Sequence, residues 1–139
     1  MENSVSREHN LKIAQTILGA IGAGEDPESI AKHFAETVSV EIQGDDGVLP
    51  WIGKRTGRKA LIDFIRGTRE AVTQESLAVE DVLASENRAV VVGRLASVIN
   101  RTKKRVETDF AIVMTISAGT VTRFQMLEDS FAVSAAARA

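Results

Sequence analysis

Three strand-like runs decide the fold of this chain: RAVVVGRLASVI (Arg88–Ile99), RVETDFAIVMTIS (Arg105–Ser117) and TVTRFQMLED (Thr120–Asp129). Each run is rich in β-branched residues, and only short polar tips separate one run from the next. The second tip contains Gly119, which suits a tight turn. The runs therefore predict one antiparallel meander, with a largely apolar face formed by Arg94, Ala96, Val98, Phe110, Ile112, Met114, Phe124, Met126 and Glu128.

Helical and strand patterns precede the meander. Apolar residues at helical spacing predict helices, and alternation of apolar with polar residues predicts strands. The elements expected are helices at Ser6–Ile21, from Pro27 and at Lys59–Val72, and strands at Thr37–Gln43 and Ser76–Leu83. The tail from Ala132 to Ala139 is expected to be either helical or frayed. Helices early and strands late predict an α+β fold, with one domain over 1–139 and its core at about 7–133.

Composition narrows the classes of function. A chain of 139 residues fits one domain, and its lack of cysteine excludes disulfides and thiolate metal sites. A net charge of -2 argues against a broad nucleic-acid surface. No run has the ~18–20 apolar residues of a membrane helix, and no signal peptide is visible. We expect a cytoplasmic protein with no cofactor, metal site, nucleic-acid partner or membrane partner.

Two neighbouring carboxylates are candidates for acid–base chemistry. Glu128 shares a strand face with Phe124 and Met126, and apolar neighbours raise the pKa of a carboxyl group. The alternative for Glu128 is a solvated strand end. Asp129 faces the other way and is either a second acid or the cap of a helix that starts at Ser130.

Other polar or aromatic residues each have a functional and a structural interpretation. Arg94 would bind an anionic ligand or form an internal salt bridge. Asp109 faces away from Phe110, so pairing with a basic residue is favoured over catalysis. His33 would be a general base or a helix-end partner. Trp51 would line a pocket mouth or pack beneath its loop.

Several segments resemble the NTF2-like superfamily in their order and spacing. They are FAETVSVE (Phe34–Glu41), LPWIG (Leu49–Gly53) followed by Gly57-Arg58, and GTVTRF (Gly119–Phe124) leading to Glu128–Ser130. The resemblance covers about Arg7–Val133 and includes ketosteroid isomerase, SnoaL-type cyclases and limonene-epoxide hydrolase. It implies a cone in which the first and third helices and a curved sheet enclose a pocket for a small hydrophobic molecule. The expected lining is Ile17, His33, Phe34, Ile42, Trp51, Phe64, Arg94, Phe110, Ile112, Met114, Phe124 and Met126.

At the positions that match the catalytic residues of these relatives, this chain has mostly apolar residues. Ile42 and Ile112 stand where the resemblance places the isomerase's two aspartates, and the chain has no tyrosine. Met126 stands at the position of the acid in the cyclases and the epoxide hydrolase. The hydrolase's Arg-x-Asp pair retains Arg94 but has Ala96 in place of the aspartate. Ketosteroid isomerase chemistry is therefore not expected.

Three hypotheses follow for function. The first is an acid–base isomerase, cyclase or hydrolase that uses Glu128, Asp129 or Arg94 as catalytic groups. The second is a binding protein that holds an apolar molecule without turnover. The third is a dimeric interaction module. A homodimer is expected in any case, because the outer sheet face is predicted to expose the apolar residues Val91, Leu95, Ile99, Ala111, Val113 and Leu127.

Overall fold

The computed structural model describes residues 2–139, with side chains described for 6–139. Four helices and six strands are present in this part of the chain. The helices are α1 (Glu2–Gly22), α2 (Pro27–Ala31), α3 (Arg58–Ala71) and α4 (Ser130–Ala137). The strands are β1 (Phe34–Ile42), β2 (Gly53–Thr56), β3 (Val72–Ala84), β4 (Arg88–Ile99), β5 (Lys104–Ser117) and β6 (Thr120–Glu128).

The strands form one sheet in the order β2-β1-β6-β5-β4-β3. All neighbours are antiparallel except β1 and β6, which run parallel. The helices pack against one face, which we call the inner face, and the opposite face is the outer face. The predicted α+β architecture and the three-stranded meander are confirmed.

Two strands differ from expectation, and the open alternative for the tail is decided. β3 extends from Val72 to Ala84, because its pairing with β4 continues along nearly the whole length of that strand. β2 was not among the expected elements, and it pairs along the edge of β1. The tail forms helix α4, and the Asp129 carboxylate caps it by accepting a hydrogen bond from the Ala132 N–H at 3.0 Å.

The register of the meander confirms the predicted inner face of β5 and β6 and contradicts the predicted inner face of β4. In β5 and β6, Phe110 lies opposite Glu128 and Ile112 lies opposite Met126, as expected for one inner face. In β4, however, Gly93 lies opposite Phe110, whereas Arg94 lies opposite Asp109 on the outer face. The expectation that Arg94, Ala96 and Val98 share a face with Phe110 is therefore wrong. The physical reason is the hairpin tip, which leaves four residues, 100–103, between the paired Ile99 and Lys104 and so matches odd positions with even ones.

The core lies between the inner face and helices α1 and α3. Ile17 of α1 and Leu61 of α3 are fully buried. The Phe124 ring packs between those of Phe34 and Phe64, with both centroid distances at 6.0 Å. This packing places three of the five phenylalanine rings of the chain together at β6. Within residues 2–139, none of the helices has the length and apolar character that crossing a membrane requires.

Candidate functional site

Glu128 lies at the end of β6, on the inner face. Strand alternation places its side chain with those of Met126 and Phe124, and the register sets it directly opposite Phe110. The strand ends immediately after Glu128, because Asp129 begins the cap of α4. The carboxyl group therefore lies where the sheet ends and a helix begins.

The surroundings of Glu128 are apolar. Within the part of the chain whose side chains are described, its carboxyl group has no hydrogen-bond or salt-bridge partner. Burial raises the pKa of Glu128 above its ordinary value, because the apolar surroundings disfavour the charged form. A carboxyl group in this state can donate a proton to a carbonyl oxygen, and its ionised form can accept one. Glu128 thus has the environment expected of an acid–base group.

Asp129 has a structural role in the same turn. Its backbone N–H donates to the buried Thr108 Oγ1 at 2.9 Å, and its side chain caps α4. Thr108 in turn donates to the Asp109 carbonyl at 2.7 Å. These bonds fix the direction in which the chain leaves β6. Of the two candidate carboxylates, only Glu128 is directed at the inner face.

Arg94 is not part of this site. On the outer face, its guanidinium group donates to Asp109 at 2.9 Å and to Glu107 at 3.2 Å. The bond to Asp109, followed by that to Glu107, raises the pKa of Arg94 further. Arg94 and Asp109 therefore pair with each other at an exposed position of the outer face rather than internally, and the expected place of Arg94 in the pocket is wrong.

The other predicted lining residues are brought together, but they pack against one another. The buried members of the core cluster include Ile17, Phe34, Ile42, Trp51, Phe110, Ile112, Met114 and Phe124, and half-buried Phe64 and Met126 pack against it. His33 is half-buried, and its carbonyl accepts a hydrogen bond from the Val121 N–H at 3.0 Å. In this conformation the inner face is filled by the protein's own side chains.

Two hollows lie at the surface. One, of about 180 Å³, lies between Trp51 and Gly67 of α3. The other, of about 340 Å³, lies between Val48, Arg101 and Arg138, at the C-terminal end of α4. Apart from Trp51, no predicted lining residue borders either hollow.

A half-buried ion pair on the outer face was missed by sequence reasoning. Glu41 accepts two hydrogen bonds from the Arg123 guanidinium group, one from Nη2 at 2.9 Å, and a third from Ser39 Oγ. The Arg123 bond lowers the pKa of Glu41. The Glu41 side chain is 9% exposed and that of Arg123 is 42% exposed, so the pair lies at the boundary between protein and solvent. Alternation in β1 gave the face of Glu41, but only the parallel pairing of β1 with β6 brings Arg123 to it.

No metal site is indicated by the geometry. Among the described side chains, His, Asp and Glu residues nowhere gather in a group of three or more able to hold an ion.

Comparisons with known proteins identify the fold independently. A model of the SnoaL-like domain matches residues 16–124. An NTF2-like protein from Burkholderia xenovorans LB400 has 23% identity and a TM-score of 0.82, with 95% of this chain and 98% of that chain covered. An NTF2-like protein from Burkholderia thailandensis E264 has 18% identity, a TM-score of 0.81 and coverages of 94% and 98%. TerC, co-crystallised with polyporic acid, has 17% identity, a TM-score of 0.79 and coverages of 94% and 99%. No curated protein sequence matches this chain significantly.

Proposed function

This chain belongs to the SnoaL-like domain family of the NTF2-like fold, and from that premise we propose that its inner face binds a small apolar molecule bearing a carbonyl group. The observation that carries the proposal is the half-buried Glu128 carboxyl group, which lies opposite Phe110 on the inner face and has no hydrogen-bond or salt-bridge partner among the described side chains. A carboxyl group held partly out of water without a partner is available to a ligand on that face. TerC shares the fold and was crystallised with polyporic acid, which supports a ligand site on this architecture.

Glu128 would act as the acid–base group in this proposal. In its protonated form it donates to the ligand's carbonyl oxygen, and after giving up that proton it accepts one from a ligand carbon or from water. The apolar side chains of Phe110 and Met126 hold the ligand and keep water away from the exchange. Such chemistry would belong to an isomerase, cyclase or hydrolase, and we place it in the cytoplasm.

Binding without turnover is the second candidate, and a specific observation favours it. Ile42 pairs with Met126 across β1 and β6, and Ile112 pairs with Met126 across β5 and β6. These three neighbours stand at the positions where the resemblance places the catalytic carboxylates of related enzymes. One acid among so many apolar side chains also suits a protein that only recognises a carbonyl group.

Replacing Glu128 by leucine and by glutamine tests the proposal. A thermal-shift screen of apolar ketones and quinones should find a ligand whose affinity falls about fivefold in Glu128→Leu, because a hydrogen bond contributes about 1 kcal/mol and leucine has no donor. Glutamine keeps an N–H donor, so Glu128→Gln should lose less affinity. Glu86→Gln, which changes an exposed residue in the turn after β3, is the matched control and should bind as the unaltered protein does.

Turnover assays on Glu128→Gln and Glu86→Gln separate enzyme from binding protein. Turnover that is lost in Glu128→Gln and kept in Glu86→Gln supports acid–base catalysis, whereas binding with no turnover in any variant supports the binding protein. Unchanged affinity in Glu128→Leu together with unchanged turnover in Glu128→Gln would contradict a role for Glu128.

We further propose a homodimer that pairs through the outer face. The register corrects part of the expectation, since Val91, Leu95 and Ile99 lie on the inner face. The outer apolar patch instead consists of Leu83, Val90, Val92, Ala111, Val113 and Leu127. Leu83 is 54% exposed and Leu127 is 39% exposed, and the ion pairs of Arg94 border the patch. An apolar patch with a charged border is typical of a subunit interface.

Sedimentation velocity tests the dimer. The protein should sediment as a dimer at micromolar concentration, and Val113→Glu, at the centre of the patch, should sediment as a monomer because it buries an unpaired charge. Ala23→Glu, at an exposed position after α1, is the control and should remain dimeric. A monomer for the unaltered protein at every concentration would contradict the proposal.

A further inference from the structure

Helix α4 covers one end of the inner face. The chain turns at Asp129, whose N–H is bonded to Thr108 on β5. It then packs Val133, Ala136 and Ala137 into the same core cluster as Ile99 and Val106. By register, Ile99 and Val106 belong to the inner face. The helix therefore begins next to Glu128 and lies over the sheet beyond it.

Few apolar atoms hold α4 in place. Its buried side chains are those of Val133, Ala136 and Ala137, all of them small, while Phe131 is 83% exposed. Apolar burial stabilises in proportion to area, so these side chains contribute much less than the aromatic residues of the main core do. A helix with so little buried surface belongs to the part of a fold that opens most readily.

Polar bonds from neighbouring segments add to the attachment, among them one from Lys104 of β5 to the Arg138 carbonyl at 2.6 Å. In the loop after β1, Asp45 accepts hydrogen bonds from Ser134 Oγ at 2.6 Å and from Arg138. In the β4–β5 hairpin tip, Arg101 donates to the Ala137 carbonyl at 2.6 Å and Thr102 donates to the Ala136 carbonyl at 2.5 Å. Asp45 thus connects the side chains of Ser134 and Arg138 to the loop that follows β1.

The 340 Å³ hollow lies at this attachment. Its walls include Val48 from the loop that carries Asp45, Arg101 from the hairpin tip, and Arg138 from the end of α4. Space is already present where α4 meets the loop, although the inner face behind it is filled. Glu128 itself is half-buried, so it is the packed apolar inner face beside it that a ligand reaches only if this end of the protein opens.

We propose that α4 is a lid over the ligand site and that Asp45 is the latch that holds it closed. The lid turns about Asp129, next to Glu128, so opening widens access to the half-buried acid and exposes the apolar inner face. The hollow between Val48 and Arg138 is the point at which an apolar molecule begins to separate the helix from the loop. This inference rests on the proposed function, since it describes access to the same site.

Replacing Asp45 by alanine tests the latch. Amide hydrogen exchange over residues 132–138 should become about tenfold faster in Asp45→Ala, because the bonds to Ser134 and Arg138 are lost. Exchange in β5 and β6 should not change. Asp46→Ala, at the neighbouring exposed position, is the matched control, and Ser134→Ala removes one of the two Asp45 bonds from the helix side. Unchanged exchange of α4 in both Asp45→Ala and Ser134→Ala would overturn the latch.

Association of a neutral apolar dye, Nile red, tests the lid. Stopped-flow fluorescence should show association several-fold faster in Asp45→Ala than in Asp46→Ala. Faster exchange of α4 without faster association, or without any dye binding, would overturn the lid. The proposed function fails by a different result: faster dye entry in Asp45→Ala, combined with no carbonyl ligand whose affinity responds to Glu128→Leu, would keep the lid and remove the role of Glu128 in ligand binding.

Discussion

Replacing Gly93 by alanine is expected to lower the free energy of unfolding by about 3 kcal/mol, at the upper end of the usual cost of overpacking. A Cβ atom at Gly93 would lie 2.2 Å from the Ala78 carbonyl oxygen and 2.9 Å from two carbons of the Phe110 ring. The first contact is with the backbone of β3, so no side-chain rotation relieves it. The strand pair would have to move apart at the irregularity between Val79 and Asp81.

Gly93 also bears on the candidate site. The Phe110 ring rests where a side chain at Gly93 would be, and Phe110 lies opposite Glu128. An added methyl group would therefore displace the ring that adjoins the acid. We expect Gly93→Ala to weaken carbonyl-ligand binding as well as stability.

Urea unfolding of two glycine variants measures this effect. Gly19→Ala is the matched control, because Gly19 is an exposed position within α1 with no atom within 4 Å of an added Cβ. That control should gain about 0.5–1 kcal/mol, since alanine favours the helix. A Gly93→Ala protein as stable as the original would contradict the close approach of β3 to β4.

The second large effect is expected for Phe124→Ala, which should cost about 3–5 kcal/mol. Phe124 is 1% exposed, and its ring packs between Phe34 and Phe64. Removing the ring leaves a cavity between β1, β6 and α3, because these packed elements cannot move close enough to fill it. The contacts with the Phe34 and Phe64 rings are also lost.

This variant also reports on whether the inner face is filled or open. If the Phe124 ring lined an empty pocket, its truncation would remove fewer contacts. The loss of unfolding free energy would then approach that for truncation of an exposed residue. Phe131→Ala provides that reference, because Phe131 is 83% exposed and should change stability by no more than about 0.5 kcal/mol. Equal costs for the two variants in urea unfolding would contradict the packed inner face.

Much of the fold could be predicted because alternation is a local signal. The apolar residues of β5 and β6 identified their own inner face, and the helical spacing identified α1 and α3. The residues of β4 alone could not show which of its two faces is the inner one, because valine and alanine occur on both faces. Only the four-residue tip, 100–103, decides which set faces Phe110, and the sequence does not show where pairing stops.

The candidate site was predictable to the extent that it depends on one strand. Glu128 follows Phe124 and Met126 at period 2, so its face was apparent from the sequence. The pair of Glu41 and Arg123 joins residues 82 positions apart through parallel strands, and no local pattern indicates such a contact. The packing of α4 on the sheet could not be predicted either, because its sequence, SFAVSAAA, consists mainly of small residues and shows no distinct apolar face. Its position depends on polar contacts with Asp45, Arg101 and Thr102.

The pKa of Glu128 determines how stability depends on pH. A carboxyl group with a raised pKa in the folded state holds its proton there at a pH at which the unfolded chain has released it. Its contribution to stability is therefore complete below the ordinary value of 4.5 and is lost as pH rises through the raised pKa. Glu128→Gln should remove this part of the pH dependence and leave the rest unchanged.

A carboxyl ¹³C NMR titration of Glu128 tests the central claim most directly. Glu128→Gln assigns the resonance by its loss. We expect a midpoint for Glu128 clearly above 4.5. A midpoint at or below 4.5 would contradict an unpartnered acid in apolar surroundings on the inner face, and with it the proposed role of Glu128 in ligand binding.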